Sequence, residues 1–417
     1  MTEEKPVQPA VESADKPTAE PAVAPSSSST SEPKPQPRSV GSRLTSLGNQ
    51  IWSAIALPLL AIVLALIVGA IVIILTSAIK PGASISLSLP LEAYGALWEG
   101  SLGSPNGRVS TLVFATPLIL TGLGIGLAFK AGLFNIGGEG QFLLGATAAV
   151  VAAVALNGSD PLIAIPVSLL AAMIVGGAWG FIPGALKAFS GAHEVVTTIM
   201  LNFIAKYLIA YLISGPLKLP KSPQPVTPNV GDAALPILFG RDGHIGILIA
   251  LAAVPIIWFL LNKMTLGFEI RAVGANPDAA RYAGMKPRRL IILTMSIAGL
   301  LAGLAGGINI LGINHQMNAS FSTTVGFTAI TVALLGRSNP VGIMFAALLF
   351  GMMQAGAGLM QINAGVPAEL VDLLQAIILL FLVMSPVLRR VFRLRGVRGS
   401  LGTTDTMSRT YGAEAIK

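Results

Sequence analysis

Apolar residues occur along the chain in runs of helix length, separated by short polar segments. About 20 apolar residues are needed to cross the ~30 Å hydrocarbon layer of a membrane, and ten runs are predicted to do so. They cover residues 52–79, 110–129, 132–156, 161–186, 194–214, 245–262, 290–310, 324–336, 341–359 and 370–388. The run at 324–336 is short enough to be a half-helix or a re-entrant segment. The pattern therefore predicts an all-α, polytopic transmembrane helical bundle of about ten spans.

Composition agrees with lipid as the solvent. The chain has 417 residues, of which 53% are hydrophobic and only 11% are charged, whereas roughly 25% are charged in a soluble domain. A very large soluble α/β core is the alternative, but the apolar runs have the length of helices rather than of strands. There is no cysteine, and the three histidines lie far apart in the sequence. We therefore expect no disulfide, no metal site and no cofactor.

Basic residues are concentrated on one side of the predicted spans. Ten spans put both termini on the same side, and with a cytoplasmic N-terminus sixteen Lys and Arg residues, from Arg38 to Arg398, lie near cytoplasmic span ends. Five lie outside, namely Lys80, Arg108, Lys218, Lys221 and Arg241. This positive-inside bias predicts cytoplasmic N- and C-termini. It also explains the net charge of +8 without a role in binding nucleic acid.

Three regions follow from the composition. Residues 1–45 contain eight prolines in the first 40 positions and a hydroxyl tract from Ser26 to Thr30, so they are predicted to be a disordered cytoplasmic tail. A transmembrane domain is predicted over 50–390, followed by a basic cytoplasmic tail over 391–417. Within the domain, the extracytoplasmic loop 215–244 contains six prolines and is expected to be ordered but irregular.

The inner loop 263–289 carries the signals of a short helix. Asn276 is a favoured N-cap, Pro277 suits the first helical position, and Gly284 can end the helix in the left-handed conformation. The predicted helix has two turns and is too short to be stable without a partner surface. It is either a connector at the membrane surface or a docking element for a cytoplasmic subunit.

Polar residues in the fifth span are candidates for a solute pathway. Glu194, Thr198, Asn202 and Lys206 follow one another in steps of four, with Thr197 alongside, and such steps lie on one helical face. Polar groups at membrane depth are costly and are functional candidates. Alternatively, Glu194 belongs to the helix start, the amide and hydroxyls bond neighbouring helices, and Lys206 extends towards the membrane surface.

A second polar group interrupts the third span. Asn135, Glu139 and Gln141 alternate with three glycines, a composition that suits an unwound or re-entrant segment whose backbone can bind a solute. A tight inner turn is the alternative. Thr328, in the short eighth span, is added to the candidate pathway.

Sequence motifs of catalysis are missing. The chain has no Gly-Lys dipeptide and hence no phosphate-binding P-loop, and it has neither His-Glu-x-x-His nor Gly-x-Ser-x-Gly. We therefore predict that the protein is not an enzyme.

Four segments together resemble the permease subunits of bacterial ABC importers. They are Gly132–Gln141, His193–Asn202, Gly274–Gly284 and Gly326–Gly336. The broad family is that of branched-chain amino acid and simple-sugar permeases, and the first segment resembles its nucleoside-uptake branch. The resemblance covers roughly residues 50–395 and implies an ABC-importer permease fold in the bacterial cell (inner) membrane.

The resemblance also implies a function and partners. It favours import of nucleosides by alternating access, with simple sugars as the alternative and an ion-coupled secondary transporter less favoured. It implies a separate cytoplasmic ATPase subunit, a second permease subunit in a heterodimer, and an extracytoplasmic solute-binding lipoprotein. In the family the inner helix couples to the ATPase, which assigns docking to Asn276, Pro277, Ala279, Ala280, Arg281 and Gly284. Lys206 departs from the family pattern, which has an apolar residue there.

Overall fold

The structure is a computed structural model that describes residues 59–76, 87–321 and 324–384. All of these residues belong to one compact unit, Gln50–Lys417. The predicted tails, 1–45 and 391–417, lie outside the described residues. Residues 52–58 and 77–79 of the predicted first span and 385–388 of the predicted tenth span also lie outside the described residues.

The described part of the chain is mainly helical, as the all-α prediction requires. Its α-helices are α1 Leu59–Thr76, α2 Leu89–Trp98, α3 Pro105–Lys130, α4 Gly138–Ala155, α5 Pro161–Ser190, α6 Glu194–Ser214, α7 Gly246–Lys263, α8 Thr265–Ala275, α9 Pro277–Tyr282, α10 Pro287–Asn309, α11 Val325–Leu335, α12 Pro340–Ala364 and α13 Glu369–Val383. Short π-helical segments follow α2 at Glu99–Gly103 and α10 at Ile310–Asn314. The strands β1 Ile237–Phe239 and β2 Gly243–His244 form a small antiparallel hairpin.

Eight of the described helices are long and apolar enough to cross a membrane: α1, α3, α4, α5, α6, α7, the continuous helix Pro287–Asn314 and α12. The predicted eighth span is α11, which has 11 residues and is a half-helix. The predicted tenth is α13, with 15 described residues. The short helices α2 and α8 were not predicted separately, because α2 lies between predicted spans and α8 lies in the polar inner loop.

The helix α3 forms the centre of the bundle and is buried along most of its length. It packs against α10, α11 and α12. By contrast, α1, α5 and α6 expose many large apolar side chains. In a membrane protein such faces meet lipid or another membrane-spanning subunit, so the exposed apolar surface is consistent with insertion in a bilayer.

Glycines bring α5 and α10 into backbone contact. A Cβ atom at Gly303 would collide with the carbonyl oxygen of Ala172, and one at Gly299 would collide with that of Gly176. Small residues four apart allow this close approach between transmembrane helices. The paired glycines therefore fix the distance between α5 and α10.

The loop 215–244 is ordered by backbone pairing with the segment that follows α10. The amides of Thr227, Val230 and Leu235 donate to the carbonyl oxygens of Met317, His315 and Leu311 at 2.8, 2.9 and 2.9 Å, respectively. The loop also contains a 3-10 turn at Gly231–Ala233 and the β1–β2 hairpin. It is thus irregular but ordered, as predicted.

Candidate functional site

The third predicted span does not begin as a helix. After a turn at Ala131 and Gly132, residues 133–136 are non-helical, and α4 starts only at Gly138. A Cβ atom at Gly138 would lie 3.3 Å from side-chain atoms of both Thr121 and Ile125 on α3. Thr121 precedes the end of α3 by nine residues, or about 14 Å along the helix axis. The N-terminus of α4 therefore lies inside the membrane rather than at its surface.

A second helix starts at the same depth. The short helix α11 begins beside the start of α4, and a Cβ atom at Gly326 would collide with the backbone of Glu139. The other end of α11 lies near the C-terminal end of α3, because Ser338 contacts the position of Gly126. Two helix N-termini, each carrying partial positive charge, thus meet within the bundle.

Glu139 lies between these two helix starts. Its carboxylate accepts a 2.8 Å hydrogen bond from the backbone N–H of Gly326, and its side chain is buried at 4% exposure. Negative charge is stabilised at helix N-termini, so the carboxylate is held by two helix dipoles. The arrangement matches the broken helices at which membrane transporters bind solutes near mid-membrane.

Asn202 joins α6 to the unwound segment. Its side-chain Nδ2 donates to the carbonyl oxygen of Ile136 at 2.9 Å, and its Oδ1 accepts from the backbone N–H of Gly140 at 2.8 Å. Both backbone groups flank the start of α4. The amide of Asn202 therefore satisfies backbone polar groups that the interruption of the helix leaves without helical partners.

Asn135 and Gln141 complete the buried group. Asn135 Oδ1 accepts from the Gly137 N–H at 2.9 Å, and Asn135 Nδ2 donates to Gln141 Oε1 at 3.2 Å. Both side chains are at most 1% exposed. We call Asn135, Glu139, Gln141 and Asn202 the polar core. Asn202 of the fifth span is thus brought together with the three sequence-predicted candidates of the third span.

The remaining candidates on α6 divide by burial. Glu194 is buried and forms a 3.1 Å ion pair with Lys187 at the end of α5. Thr198 is also buried, and its hydroxyl donates to the carbonyl oxygen of Glu194 at 2.7 Å. The half-buried Thr197 likewise donates to the Glu194 carbonyl oxygen, at 3.1 Å.

Lys206 does not continue the polar stripe. The buried face of α6 follows Glu194, Thr198 and Asn202 and then passes through Ala205 to Ile209 and Ile213, whereas Lys206 is exposed. Four-residue steps drift around a helix that has 3.6 residues per turn, so the fourth member of the predicted stripe turns off the packed face. The packed face of α6 is therefore apolar beyond Asn202.

Surface-accessible polar groups border the polar core on α11. Thr324 and Phe327 are exposed, and Thr328 is half-buried. The amides and the carboxylate of the polar core are engaged within the protein, whereas these residues at the start of α11 are not buried. Thr328 thus lies next to the predicted cluster rather than inside it.

The inner helix α9 has the predicted residues at its start and after its end. Asn276 Oδ1 accepts from the backbone N–H groups of Asp278 and Ala279, each at 3.0 Å, and Pro277 is the first residue of α9. Gly284 has a φ of +83°, which is the left-handed conformation that ends helices. The helix has six residues, somewhat less than the predicted two turns.

Burial separates the residues assigned to docking. Asn276, Pro277, Ala279, Arg281 and Gly284 are exposed. Ala280 is only 4% exposed and belongs to the apolar core of this chain, so its side chain anchors α9 to the bundle instead of facing outward.

Three residues that belong to the inner helix or bind the candidate site residues were not predicted from the sequence. Tyr282 on α9 is 94% exposed and is the most prominent side chain of the inner helix. Gly326 supplies the N–H that binds Glu139, and Lys187 supplies the partner of Glu194. The exposure of Tyr282 could have been read from the helix period, but the other two depend on tertiary contacts.

The fold and site define a class of protein: a multi-pass membrane protein with interrupted helices around a buried polar core. Residues 107–383 match the family described as the permease component of branched-chain amino acid transport systems. The chain belongs to this family, and it is a permease subunit of an ATP-driven ABC transporter rather than an enzyme.

The chain can be aligned with ABC transporter permeases over most of its length. It is 42% identical to the guanosine ABC transporter permease protein NupP of Bacillus subtilis, over 81% of this chain and 96% of the relative. It is 38% identical to the glucose ABC transporter permease protein TsgB13 of Haloferax volcanii, over 81% and 90%. It is 36% identical to the nucleoside ABC transporter permease protein NupB of Lactococcus lactis, over 79% and 91%. No solved structure matches the chain.

Proposed function

We propose that the chain imports nucleosides, and that the solute passes the site where the N-termini of α4 and α11 converge. The observation that carries this proposal is the position of Glu139 between two helix starts inside the membrane. Transporters bind polar solutes at such interrupted helices, because backbone groups and helix ends in the membrane interior can interact with a solute there.

An uncharged polar solute fits this region better than an ion. The single carboxylate of the polar core is already stabilised by a backbone N–H and two helix dipoles. The accessible groups beside it are the hydroxyls of Thr324 and Thr328 and the ring of Phe327. Hydroxyls suit a ribose or another sugar, and an aromatic ring adds a stacking surface for a base.

The aromatic ring is what favours nucleosides over simple sugars. Relatives whose names specify guanosine and nucleosides are 42% and 36% identical to the chain, and a glucose permease is 38% identical. Similarity therefore leaves both solutes open, and simple sugars remain the second candidate. Replacement of Phe327 by Leu should weaken nucleoside uptake more than sugar uptake.

In this proposal, the polar core serves as the frame of the pathway. Asn135, Glu139, Gln141 and Asn202 fix the ends of the interrupted helices. Thr197 and Thr328 lie towards accessible surface, while Glu194 and Thr198 connect α6 to its neighbours. Alternating access would then tilt these helix starts, with the solute making different contacts in the two states.

The exposed surface of α9 and the similarity to known permeases support a set of protein partners. We propose that α9, through its exposed face at Pro277, Ala279, Arg281 and Tyr282, docks into a cytoplasmic ATPase subunit. Two guanosine permease proteins of Bacillus subtilis, NupP and NupQ, are 42% and 31% identical to this chain. This supports a heterodimer of two permeases, fed by an extracytoplasmic solute-binding lipoprotein. The positive-inside bias supports cytoplasmic termini.

Uptake by a reconstituted transporter tests the proposal. The chain is co-expressed with an ATPase, a second permease and a binding lipoprotein, and labelled guanosine and glucose are supplied to proteoliposomes. We expect ATP-dependent guanosine accumulation that excess adenosine, but not glucose, suppresses. Glucose uptake alone would establish the second candidate. Uptake that persists without ATP and collapses with the proton gradient would instead support ion-coupled secondary transport.

A further inference from the structure

A large groove lies between the end of α5 and the start of α10, beside the inner helix α9. Its volume is about 1030 Å³. The walls come from Phe181 and Phe189 on α5 and from Ile292, Leu293 and Ser296 on α10. Met285 and Pro287 close the end nearest to α9.

The mouth of the groove is strongly basic. Arg281, Lys286, Arg288 and Arg289 line it, and no acidic residue does. All four are exposed, and within the described ranges the structure shows no ion pair for any of them. The N-terminus of α10 at Pro287 adds the partial positive charge of a helix start. The mouth therefore presents positive charge that this part of the chain does not neutralise.

The interior of the groove is apolar and reaches into the membrane. Ser296 follows the first residue of α10 by nine positions, which corresponds to a depth of about 14 Å along the helix. Phe181 precedes the end of α5 by nine residues and is 48% exposed, whereas Phe189 lies next to that end and is 71% exposed. An exposed aromatic side chain at the depth of Phe181 is normally covered by hydrocarbon or by another membrane segment.

We propose that this basic groove binds an anionic phospholipid of the cytoplasmic leaflet. The phosphate would contact Arg288, Arg289 and Lys286, and an acyl chain would lie against Phe181, Ile292 and Leu293. Basic pockets between transmembrane helices on the cytoplasmic side are typical sites for anionic headgroups. Guanidinium groups bind phosphate oxygens in pairs, which adds geometric selectivity.

Other occupants fit the groove less well. A soluble ATPase subunit can reach the basic mouth but cannot fill apolar walls that extend about 14 Å into the bilayer. Free phosphate would leave those walls uncovered. A neighbouring permease would need acidic side chains at the mouth to offset four cations. A phospholipid brings both the anion and the apolar chain.

The site adjoins the inner helix, since Arg281 of α9 lines it. A bound lipid would therefore fix the position of α9 relative to α5 and α10. This inference needs the cytoplasmic placement of the loop but does not depend on which solute is carried.

Selective lipid retention tests the site. The full chain is purified in detergent, stripped of lipid, and offered equal amounts of phosphatidylglycerol and phosphatidylcholine with identical acyl chains. Native mass spectrometry then counts the bound lipids. We expect phosphatidylglycerol to be retained about tenfold better, and Arg288→Gln/Arg289→Gln to remove most of that preference. The matched variant Lys263→Gln/Arg271→Gln removes two exposed cations of the same inner region. It should keep the preference for phosphatidylglycerol.

Three results would overturn the proposal. One is equal retention of the two lipids by the unmodified chain. Another is an equal loss of the preference for phosphatidylglycerol in the matched variant. That loss would indicate that the lipid is attracted by the overall positive charge of the region and not by this groove. The third is displacement of phosphatidylglycerol by soluble glycerol phosphate as effectively as by the lipid, which would indicate an anion site without a lipid.

A second measurement uses the unmodified chain, so that it does not depend on the folding of a variant. Phosphatidylglycerol with a photoreactive acyl chain should label peptides from residues 181–189 and 285–296. Labelling confined to other helices contradicts the proposal. So does labelling that disappears when the chain is assembled with its second permease, because that subunit would then be the occupant.

Discussion

The carboxylate of Glu139 accepts a 2.8 Å hydrogen bond from the backbone N–H of Gly326, although 187 positions separate the two residues. The contact joins the second residue of α4 to the second residue of α11. It can form only because Gly326 has no side chain, since its Cα lies against the backbone of Glu139. One carboxylate thereby fixes the meeting point of two interrupted helices.

The closeness of these helices predicts a large effect for Gly326→Ala. The added Cβ would lie 2.7 Å from the carbonyl carbon of Gly138 and would collide with Glu139, so α4 and α11 must separate. We expect a loss of about 1–3 kcal/mol in stability, measured as a lower thermal midpoint of the purified protein. The control is Gly358→Ala on α12, where a Cβ meets no atom within 4 Å. Equal midpoints for the two variants would contradict the close packing.

The bonds of Asn202 predict that its amide cannot be replaced by an apolar group. Asn202→Leu would leave the carbonyl of Ile136 and the N–H of Gly140 without the partner that each has now. An unsatisfied buried polar group costs about 1–3 kcal/mol, so we expect a thermal midpoint several degrees lower. Lys206→Leu changes an exposed residue of the same helix and should change the midpoint little. An unchanged thermal midpoint for Asn202→Leu would show that the polar core does not hold the non-helical segment 133–136 in place.

The inner helix was predicted in detail because its signals are local. The cap at Asn276, the proline after it and the glycine that ends the helix act within a few residues of one another. Span positions were predictable for a similar reason, since hydrocarbon thickness sets the length of an apolar run. The interruption before α4 was one of two possibilities that the sequence left open, because a carboxylate and two amides cluster there with three glycines; a tight inner turn was the other.

Other features depend on contacts between distant parts of the chain. The bond from Gly326 to Glu139 and the ion pair of Lys187 with Glu194 carry no local signature. The period of α6 placed Lys206 on the polar stripe, but the buried face shifts to Ala205 after Asn202. Ala280 was assigned to docking from the resemblance, and only the packing of α9 reveals that its side chain faces inward.

The exposure of Tyr282 predicts a contact with the ATPase subunit. The side chain is 94% exposed on the six-residue helix α9, and aromatic residues often dominate binding at interfaces. We expect Tyr282→Ala to reduce copurification of the ATPase roughly tenfold or more, with membrane insertion unchanged.

Phe268→Ala provides the matched control for Tyr282→Ala. Phe268 is 58% exposed on α8, the neighbouring inner helix, so both variants remove an exposed aromatic ring. Normal copurification with Tyr282→Ala, or an equal loss with Phe268→Ala, would argue against α9 as the specific docking element. Ala280→Asp is a poorer test, because a buried charge would disturb the anchoring of α9 itself.

The burial of His244, at the end of the loop 215–244, predicts that the stability of the protein depends on pH. The side chain is 1% exposed at the end of strand β2, and neither ring nitrogen has a hydrogen-bond partner among the described residues. The pKa of His244 is lowered to about 4, chiefly by burial and also by the charge of His315, while the charge of Asp242 opposes the shift. An unfolded histidine has a pKa near 6.5.

The sign of the pH effect follows from these two pKa values. Between pH 6.5 and about 4 the unfolded chain binds a proton at His244 that the folded chain does not. Stability is therefore unaffected by this group above pH 6.5 and falls as the pH drops towards 4, by about 1–3 kcal/mol. Thermal midpoints at about pH 7.5 and about pH 5 should differ more for the unmodified chain than for His244→Leu. His193→Gln, which changes the exposed histidine before α6, should keep the full pH dependence. An unchanged pH dependence in His244→Leu would assign the effect to other groups.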